Sequence, residues 1–325
     1  MTPGDPAIAV AVIIGVPLAL GGWVFLSERV IRRSGRNTQS RWRPWIWLLP
    51  GLVLMGTVLV YPLLATLRMS FGDRTGEGFT GLRNYEWALT DPQVLQALLK
   101  SVLWIAVLPV VLILAALLIA ILADRVRYER IVITVVMIPS ALSLVVAGVI
   151  WSLMYRYSPP GRPQVGLLNA VWTSLSGQDP VAWTLEPGVA DAALMLIGMW
   201  AWLGFATVLL SAGVKGIPAE YLEAARLDGA NEWQVFTHVT LPQLIPTIVV
   251  VLTTLVVWAL KVFDIVYVVT GGRNGTDVLA TRVYKEFFTS QQMGQGAAIA
   301  IILFLVAVPM MAFNIWRIRR EESFR

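Results

Sequence analysis

The chain has no cysteine and a single histidine, His238, among its 325 residues. Without cysteine there can be no disulfide framework and no metal site held by thiolates. One histidine also excludes a centre built from several imidazoles, and we interpret His238 as a solvated or packed side chain. The sequence lacks a Gly-Lys-Ser/Thr phosphate loop, so the chain is not expected to bind and hydrolyse ATP by itself.

Charged residues are also scarce, at 14% of the chain, whereas hydrophobic residues make up 57%. A soluble domain carries more surface charge than this. The excess of hydrophobic residues therefore predicts that much of the chain is buried in lipid. Seven apolar segments are long enough to cross a bilayer as helices, which takes about 20 residues each. They are Ala7–Leu26, Trp45–Leu67, Leu98–Leu122, Ile131–Tyr155, Ala190–Val214, Ile245–Val269 and Ala297–Trp316. The predicted fold class is therefore all-α, a polytopic bundle of transmembrane helices.

The net charge of +5 comes from arginines that lie beside these segments. Arginine clusters occur at 29–43, 125–130 and 317–325. An even number of predicted spans separates them, so all three can lie on one side of the membrane. Positive residues mark the cytoplasmic side. We therefore predict a multi-pass protein of a bacterial cytoplasmic membrane, with its N-terminus outside and its C-terminus in the cytoplasm. The basic residues are interpreted as topology signals and not as a nucleic-acid site.

The first apolar segment could instead be a cleaved signal peptide. No basic residue precedes it and an arginine cluster follows it, which favours a retained membrane anchor. We divide the chain accordingly. Residues 1–43 are predicted to form an N-terminal anchor with a basic cytoplasmic segment. Residues 44–325 are predicted to form the main transmembrane domain, which includes a long cytoplasmic loop at 215–242.

The loop 215–242 differs from the other cytoplasmic stretches because its acidic residues outnumber its bases. Pro218 suits the first position of a helix, and Glu220 falls in the favourable first turn. Gly229 can end that helix with a positive φ. The residues at 231–234, Asn-Glu-Trp-Gln, form a capping-box pattern that opens a second helix. Two short helices on a cytoplasmic face are suited to docking against a partner.

Seven residues of this loop are candidates for contact with such a partner, and all of them except Asp228 follow one particular spacing. They are Glu223, Ala224, Ala225, Asp228, Gly229, Leu241 and Pro242. The pattern Glu-Ala-Ala, three residues, Gly, nine residues, Val239, one residue, Leu-Pro resembles the signature of importer permeases of the ATP-binding-cassette class. Valine stands at 239 where isoleucine is usual. A lone Glu-Ala-Ala is uninformative, but the whole pattern between two predicted spans is specific.

The resemblance extends over residues 45–316 and is to the maltose-type branch of sugar importers, specifically to the first permease of the pair. Residues 260–264 and 275–284 look similar to alpha-glucoside and glucosylglycerol permeases. The family core has six spans, so Ala7–Leu26 would be an addition. The resemblance implies that loop 215–242 is a coupling helix that docks on an ATPase. It also implies a homologous second permease, two ATPase subunits that hold ATP and Mg, and an external substrate-binding protein. The chain itself would then be no enzyme and hold no cofactor or metal.

Aromatic residues on the fifth and sixth predicted spans are candidates for stacking on a sugar ring along a translocation path. They are Trp200, Trp202, Phe205 and Trp258. Packing and interfacial anchoring are the alternative roles of such side chains.

Lys261 and Asp264 lie three residues apart, so we expect them to share a helix face. They would form a structural ion pair or line the path. The maltose-type sugar site is lined by asparagines, and this sequence has Leu255, Ala259 and Val262 at the matching positions. That difference predicts another kind of pocket, or a sugar site on the partner permease, or no sugar site on either permease.

Two other functional classes remain open at this point. An ion-gradient-driven secondary transporter usually has buried carboxylates or interrupted helices near the membrane centre, and Asp264 is a thin basis for one. A membrane-embedded enzyme would have several acids or histidines clustered at one interface.

Overall fold

The structure is a computed structural model, and it describes residues 15, 18, 21–29 and 36–322. Over 36–322 most residues are helical, and within these residues the only bridge between extended segments joins Gly72 and Phe79. The helices are α1 (Arg36–Met55), α2 (Tyr61–Ser70), α3 (Arg83–Thr90), α4 (Pro92–Asp124), α5 (Glu129–Met137), α6 (Leu144–Met154), α7 (Leu167–Ser176), α8 (Val189–Lys215), α9 (Ala219–Leu227), α10 (Glu232–Val235), α11 (Leu241–Leu260), α12 (Asp264–Val269), α13 (Leu279–Tyr284) and α14 (Met293–Glu322). The predicted all-α class is confirmed.

Four helices of the described part are long and apolar enough to cross a membrane. They are Arg43–Ser70, Pro92–Asp124, Val189–Lys215 and Glu232–Leu260. The pair α5 and α6 adds a fifth span if it is counted as one bent helix, and the apolar part of α14, Met293–Pro309, is shorter. Most of the predicted segment Ala7–Leu26 lies outside the described residues.

The sequence predicts one straight helix over Ile131–Tyr155, but the structure has two helices there. These helices, α5 and α6, meet at an angle of 99°. Pro139 lies at the start of the turn that joins them, and because it lacks an N–H it cannot donate a helical hydrogen bond there. The chain tightens into a 3₁₀ turn at Ile138–Ala141, and Leu142 is extended, with φ −84° and ψ 145°.

The predicted span Ile245–Val269 is also interrupted. Helix α11 ends at Leu260, and α12 begins at Asp264 after Phe263, whose φ is −137°. The break turns Val262, which is 3% exposed, into a core cluster that also contains Trp104 and Ile265. Burial of this side chain therefore competes successfully with one unbroken helix.

The core of residues 69–322 sits between α4, α8 and α11. One cluster is centred on Leu112, Leu210 and Leu255, each fully buried. Small residues let the helices approach closely, as is usual in membrane bundles. A Cβ at Gly204 would lie 2.5 Å from the Cα of Met137. This contact brings the end of α5 directly against α8.

Candidate functional site

The loop between α8 and α11 folds as its sequence indicates. Helix α9 follows Pro218, and its first turn contains Glu220. It ends in a Schellman motif, because the Gly229 N–H donates to the Arg226 carbonyl at 3.1 Å and the Ala230 N–H donates to the Ala225 carbonyl at 3.1 Å. Gly229 has φ +84°, where glycine is favoured because a Cβ is strained there.

The second short helix, α10, begins with the predicted capping box. The Gln234 N–H donates to Asn231 Oδ1 at 2.9 Å, and the Asn231 N–H donates to Gln234 Oε1 at 2.8 Å. Two backbone donors that the helix leaves unpaired are thereby satisfied. A π-helical turn, Phe236–Thr240, then leads into α11 at Leu241 and Pro242. The loop is thus a compact unit.

The outer surface of this unit is unusually apolar for a connector. Leu227 is 88% exposed, Trp233 is 70% exposed and Tyr221 is 53% exposed. Glu223 and Ala224, which belong to the recognised pattern, are exposed beside them. The other candidate residues of the loop range from half-buried Ala225 and Leu241 to exposed Asp228 and Pro242. Exposed apolar patches rimmed by polar residues mark interaction sites.

The loop is tied to the rest of the bundle on its inner side. Glu232 accepts from Arg125, just after α4, at 2.7 Å and from Arg226 at 3.0 Å. These groups are about half exposed, so solvent screens both pairs and each contributes little to stability. Val235 is 3% exposed and Phe236 packs on the Leu112 cluster. Fully burying such an aliphatic side chain is worth about 1.5–3 kcal/mol, so packing is the firmer link.

Three of the predicted path aromatics come together inside the bundle. The rings of Trp202 and Trp258 lie 5.2 Å apart, and those of Trp202 and Phe205 lie 5.4 Å apart. Trp202 and Phe205 line a cavity of about 470 Å³. Trp200 faces elsewhere and contacts Trp151 at 5.8 Å. The structure therefore separates Trp200 from the other three.

Sequence reasoning missed the polar lining of the same cavity. Ser140 lies at the bend between α5 and α6, and Thr254 lies on α11. Each hydroxyl donates to a backbone carbonyl of its own helix region, Ser140 to Met137 at 2.7 Å and Thr254 to Val250 at 3.0 Å. Their oxygens remain able to accept. The signal that could have located the bend was Pro139 inside an apolar run.

The expectation that Lys261 and Asp264 share a helix face is wrong, because both flank the break between α11 and α12. Lys261 is exposed, and the ion pairs among the described residues do not join it to Asp264. Neither residue lines the cavity at Trp202. Leu255, Ala259 and Val262, at the positions of the maltose-type asparagines, are all buried in the core.

Residues 113–320 match the family described as binding-protein-dependent transport system inner membrane components. The chain is 45% identical to the osmoprotective compounds uptake permease protein of Synechocystis sp. The alignment extends over 280 residues and covers 86% of this chain and 100% of that relative. It is 40% identical over 306 residues to the alpha-glucoside transport system permease protein of Rhizobium meliloti, covering 93% and 90%. The fold is similar to a chain in the crystal structure of a bacterial ABC transporter that imports alginate, with a TM-score of 0.75 and 22% identity over 88% of this chain and 98% of that one.

Proposed function

This chain belongs to the family of inner membrane components of binding-protein-dependent transport systems, and we propose that it is the permease subunit of an ATP-driven importer for an alpha-glucoside or a closely related sugar. The observation that carries the sugar class is the 45% and 40% identity to two permeases over 86% or more of this chain. The family assignment decides against the two other classes, an ion-gradient-driven transporter and a membrane-embedded enzyme.

Loop 215–242 is the element through which a separate ATPase would drive the permease. Its exposed face, with Leu227 and Trp233, supports docking on a protein surface. Glu223 offers a charge to a basic partner group, and the small side chains of Ala224 and Ala225 permit close approach. ATP and Mg would be held by two copies of that ATPase, and a homologous second permease would complete the pore.

The translocation path would pass the cavity lined by Trp202 and Phe205, with Trp258 packed behind Trp202. Sugars have apolar C–H faces that aromatic rings cover, and the Ser140 and Thr254 oxygens can accept hydrogen bonds from sugar hydroxyls. The bend between α5 and α6 supports this location, since irregular backbone at membrane depth occurs where it lines a cavity. Trp200, Lys261 and Asp264 lie outside the cavity lining and are dropped from the proposed path.

We further propose the orientation derived from the arginine clusters, with loop 215–242 in the cytoplasm and the N-terminus outside. An external substrate-binding protein would then deliver the sugar to the face opposite the loop. Closure of the ATPase dimer would move the loop, and the bundle would change between inward- and outward-facing states.

The direct test is uptake by the assembled complex in proteoliposomes. The chain is purified with its permease partner, ATPase and binding protein, and the uptake of radiolabelled maltose, trehalose and sucrose, all alpha-glucosides, is measured. We expect uptake that requires ATP and stops when the catalytic glutamate of the ATPase is replaced. Uptake that survives this replacement and collapses with the ion gradient would contradict the proposal.

A further inference from the structure

A second cavity lies at the end of the bundle opposite loop 215–242. Helix α4 has 33 residues, so it is about 50 Å long. Arg125 follows its C-terminal end and contacts the loop through Glu232. At its N-terminal end, Gln93 accepts a hydrogen bond from Arg282 at 2.6 Å. The segment that carries Arg282 therefore belongs to the outer face in the proposed orientation.

This outer cavity has a volume of about 550 Å³ and is formed by two segments, the turn at 72–79 and the segment 287–293 that leads into α14. Its lining residues are Arg74, Thr75, Phe287, Phe288, Gln291 and Met293. The volume is in the range of small-molecule sites, about 300–1,000 Å³. Arg74, Thr75 and Gln291 supply a guanidinium, a hydroxyl and an amide to an otherwise apolar wall.

The two walls of the outer cavity are fixed to each other. The Met293 N–H donates to the Arg74 carbonyl at 2.9 Å, and Arg74 Nε donates to the Gln291 carbonyl at 3.3 Å. A Cβ at Gly294 would lie 2.5 Å from the carbonyl oxygens of Gly72 and Asp73, so the segments touch there. The cavity is pre-formed and needs no closing movement to exist.

Gln291 has a strained backbone at the rim of this cavity. Its φ is +51°, in the left-handed region that residues with a Cβ seldom adopt. The Arg74 hydrogen bond to its carbonyl helps to hold it there. Strain that the surroundings maintain is concentrated at binding sites.

A continuous row of aromatic rings leads away from the cavity at Phe288. The rings of Phe288 and Tyr284 lie 4.8 Å apart, those of Tyr284 and Tyr267 lie 4.8 Å apart, and Tyr267 stacks on Phe263 at 5.1 Å. Phe288 is 70% exposed and Tyr267 is 41% exposed. We call Phe263, Tyr267, Tyr284 and Phe288 the aromatic row. Its exposed rings form an apolar surface beside polar groups.

Two ion pairs, one of them largely buried, fix the segment that carries Tyr284 and Phe288 of the aromatic row. Arg282 contacts Glu286 at 2.9 Å, and Lys285 contacts Asp277 at 2.9 Å. Glu286 is only 4% exposed. Breaking a buried pair leaves an uncompensated charge, which strongly disfavours any alternative arrangement. Rings carried by the same segment therefore keep a fixed surface toward the outside.

We propose that the outer cavity and the aromatic row form a sugar-binding site at the outer mouth of the permease, distinct from the cavity at Trp202. The proposal rests on the proposed function for the identity of the ligand as an alpha-glucoside. The apolar face of a pyranose ring would stack on Phe288 and the row. Its hydroxyl groups would bond to the Arg74 guanidinium, the Thr75 hydroxyl and the Gln291 amide.

Single cysteines test this site, since the chain has no native cysteine. Phe288→Cys and Thr75→Cys report on the two walls of the outer cavity. Thr75→Cys leaves all four rings of the aromatic row in place. Phe79→Cys is the matched control, because Phe79 is 85% exposed on the same turn but lies outside the cavity lining. The complex of both permeases and ATPase, without binding protein, is labelled with a charged maleimide in the presence and absence of maltose, trehalose or sucrose.

A transported sugar at about ten times its Kd should slow labelling of both reporters about tenfold, because the free fraction of the site is 1/(1 + [L]/Kd). Labelling of Phe79→Cys should not change. Equal rates with and without sugar, in a complex that transports the same sugar, overturn this site and leave the proposed function intact. Absence of ATP-dependent uptake of all three sugars by the wild-type complex is the separate failure of the proposed function.

Two further outcomes would also overturn the site. Protection only on addition of the binding protein would mean that this face docks a protein. A Phe288→Cys reporter that reacts in the isolated chain and is inert in the complex would mean that the partner permease covers it. As a functional readout, Phe288→Ala should raise the KM for uptake several-fold, and Phe79→Ala should leave the KM at the wild-type value.

Discussion

Replacing Gly229 by alanine tests whether the proposed role of loop 215–242 depends on the backbone conformation of its helix cap. Gly229 has φ +84°, and an ideal Cβ there meets no atom within 4 Å. Alanine therefore adds no clash, and its cost is the backbone strain of about 1–2 kcal/mol for a residue with a Cβ in this region. A change of that size alters the population of the intact cap by roughly 5- to 30-fold. The exposed face with Leu227 would then lose its fixed position relative to α10.

Gly177 provides a matched control for this substitution. It also ends a helix, α7, with φ +65°, and a Cβ there likewise meets nothing within 4 Å. Gly177→Ala should carry a similar local cost at a place outside the loop. The assay is ATP hydrolysis by the reconstituted complex, stimulated by sugar-loaded binding protein, together with retention of the ATPase in a pull-down.

We expect Gly229→Ala to lower stimulation or retention several-fold and Gly177→Ala to leave both near wild type. Equal losses in the two variants would show that global stability and not the loop is being measured. Full retention and full stimulation in Gly229→Ala would refute the reasoning that the capped shape of the loop transmits ATPase closure.

Three other predictions concern loop 215–242, the cavity at Trp202 and the membrane topology. Ala225→Leu should separate the docked surfaces and release the ATPase in a pull-down, while membrane insertion stays normal by fractionation. Trp202→Ala should lower sugar uptake with basal ATP hydrolysis unchanged, whereas Trp200→Ala, outside the cavity, should transport like wild type; equal uptake in both would leave Trp202 a packing residue. In intact cells, a cysteine at Thr80 should react with an impermeant thiol reagent and one at Thr237 should not, and the reverse labelling would contradict the proposed orientation.

The loop could be predicted because its determinants act over a few residues. The cap at Gly229 and the box of Asn231 with Gln234 depend only on backbone groups within one helical turn. The sequence spacing of Trp200, Trp202 and Phe205 also predicts which of these side chains lie on the same face of the helix. Residues two apart on a helix do not share a face and residues three apart do. Trp200 was therefore bound to point away from Trp202, and Phe205 toward it.

The two interrupted spans were not predicted, because hydropathy averaged over about 20 residues does not report backbone direction. The break at 261–263 depends on the burial of Val262 against residues such as Trp104, which are distant in sequence. The aromatic row was not predicted either, because it too depends on contacts between residues that are distant in sequence. Phe263 and Phe288 are joined only because a chain of ring contacts and the partly buried pair of Lys285 with Asp277 fold the intervening segment back.

Helix α4 links the two ends at which the proposed events occur. Beyond its C-terminal end, Arg125 bonds to Glu232 of the loop. Near its N-terminal end, Ser101 Oγ accepts from the Leu279 N–H at 2.9 Å, and Lys100 pairs with the buried carboxylate of Asp191 at 2.5 Å. A displacement of the loop that moves α4 would therefore reach the segment beneath the aromatic row as well. Because the pair at Asp191 also joins α4 to the start of α8, the two helices would move together. One rigid pair of helices would then couple nucleotide-driven motion on one face to sugar access on the other.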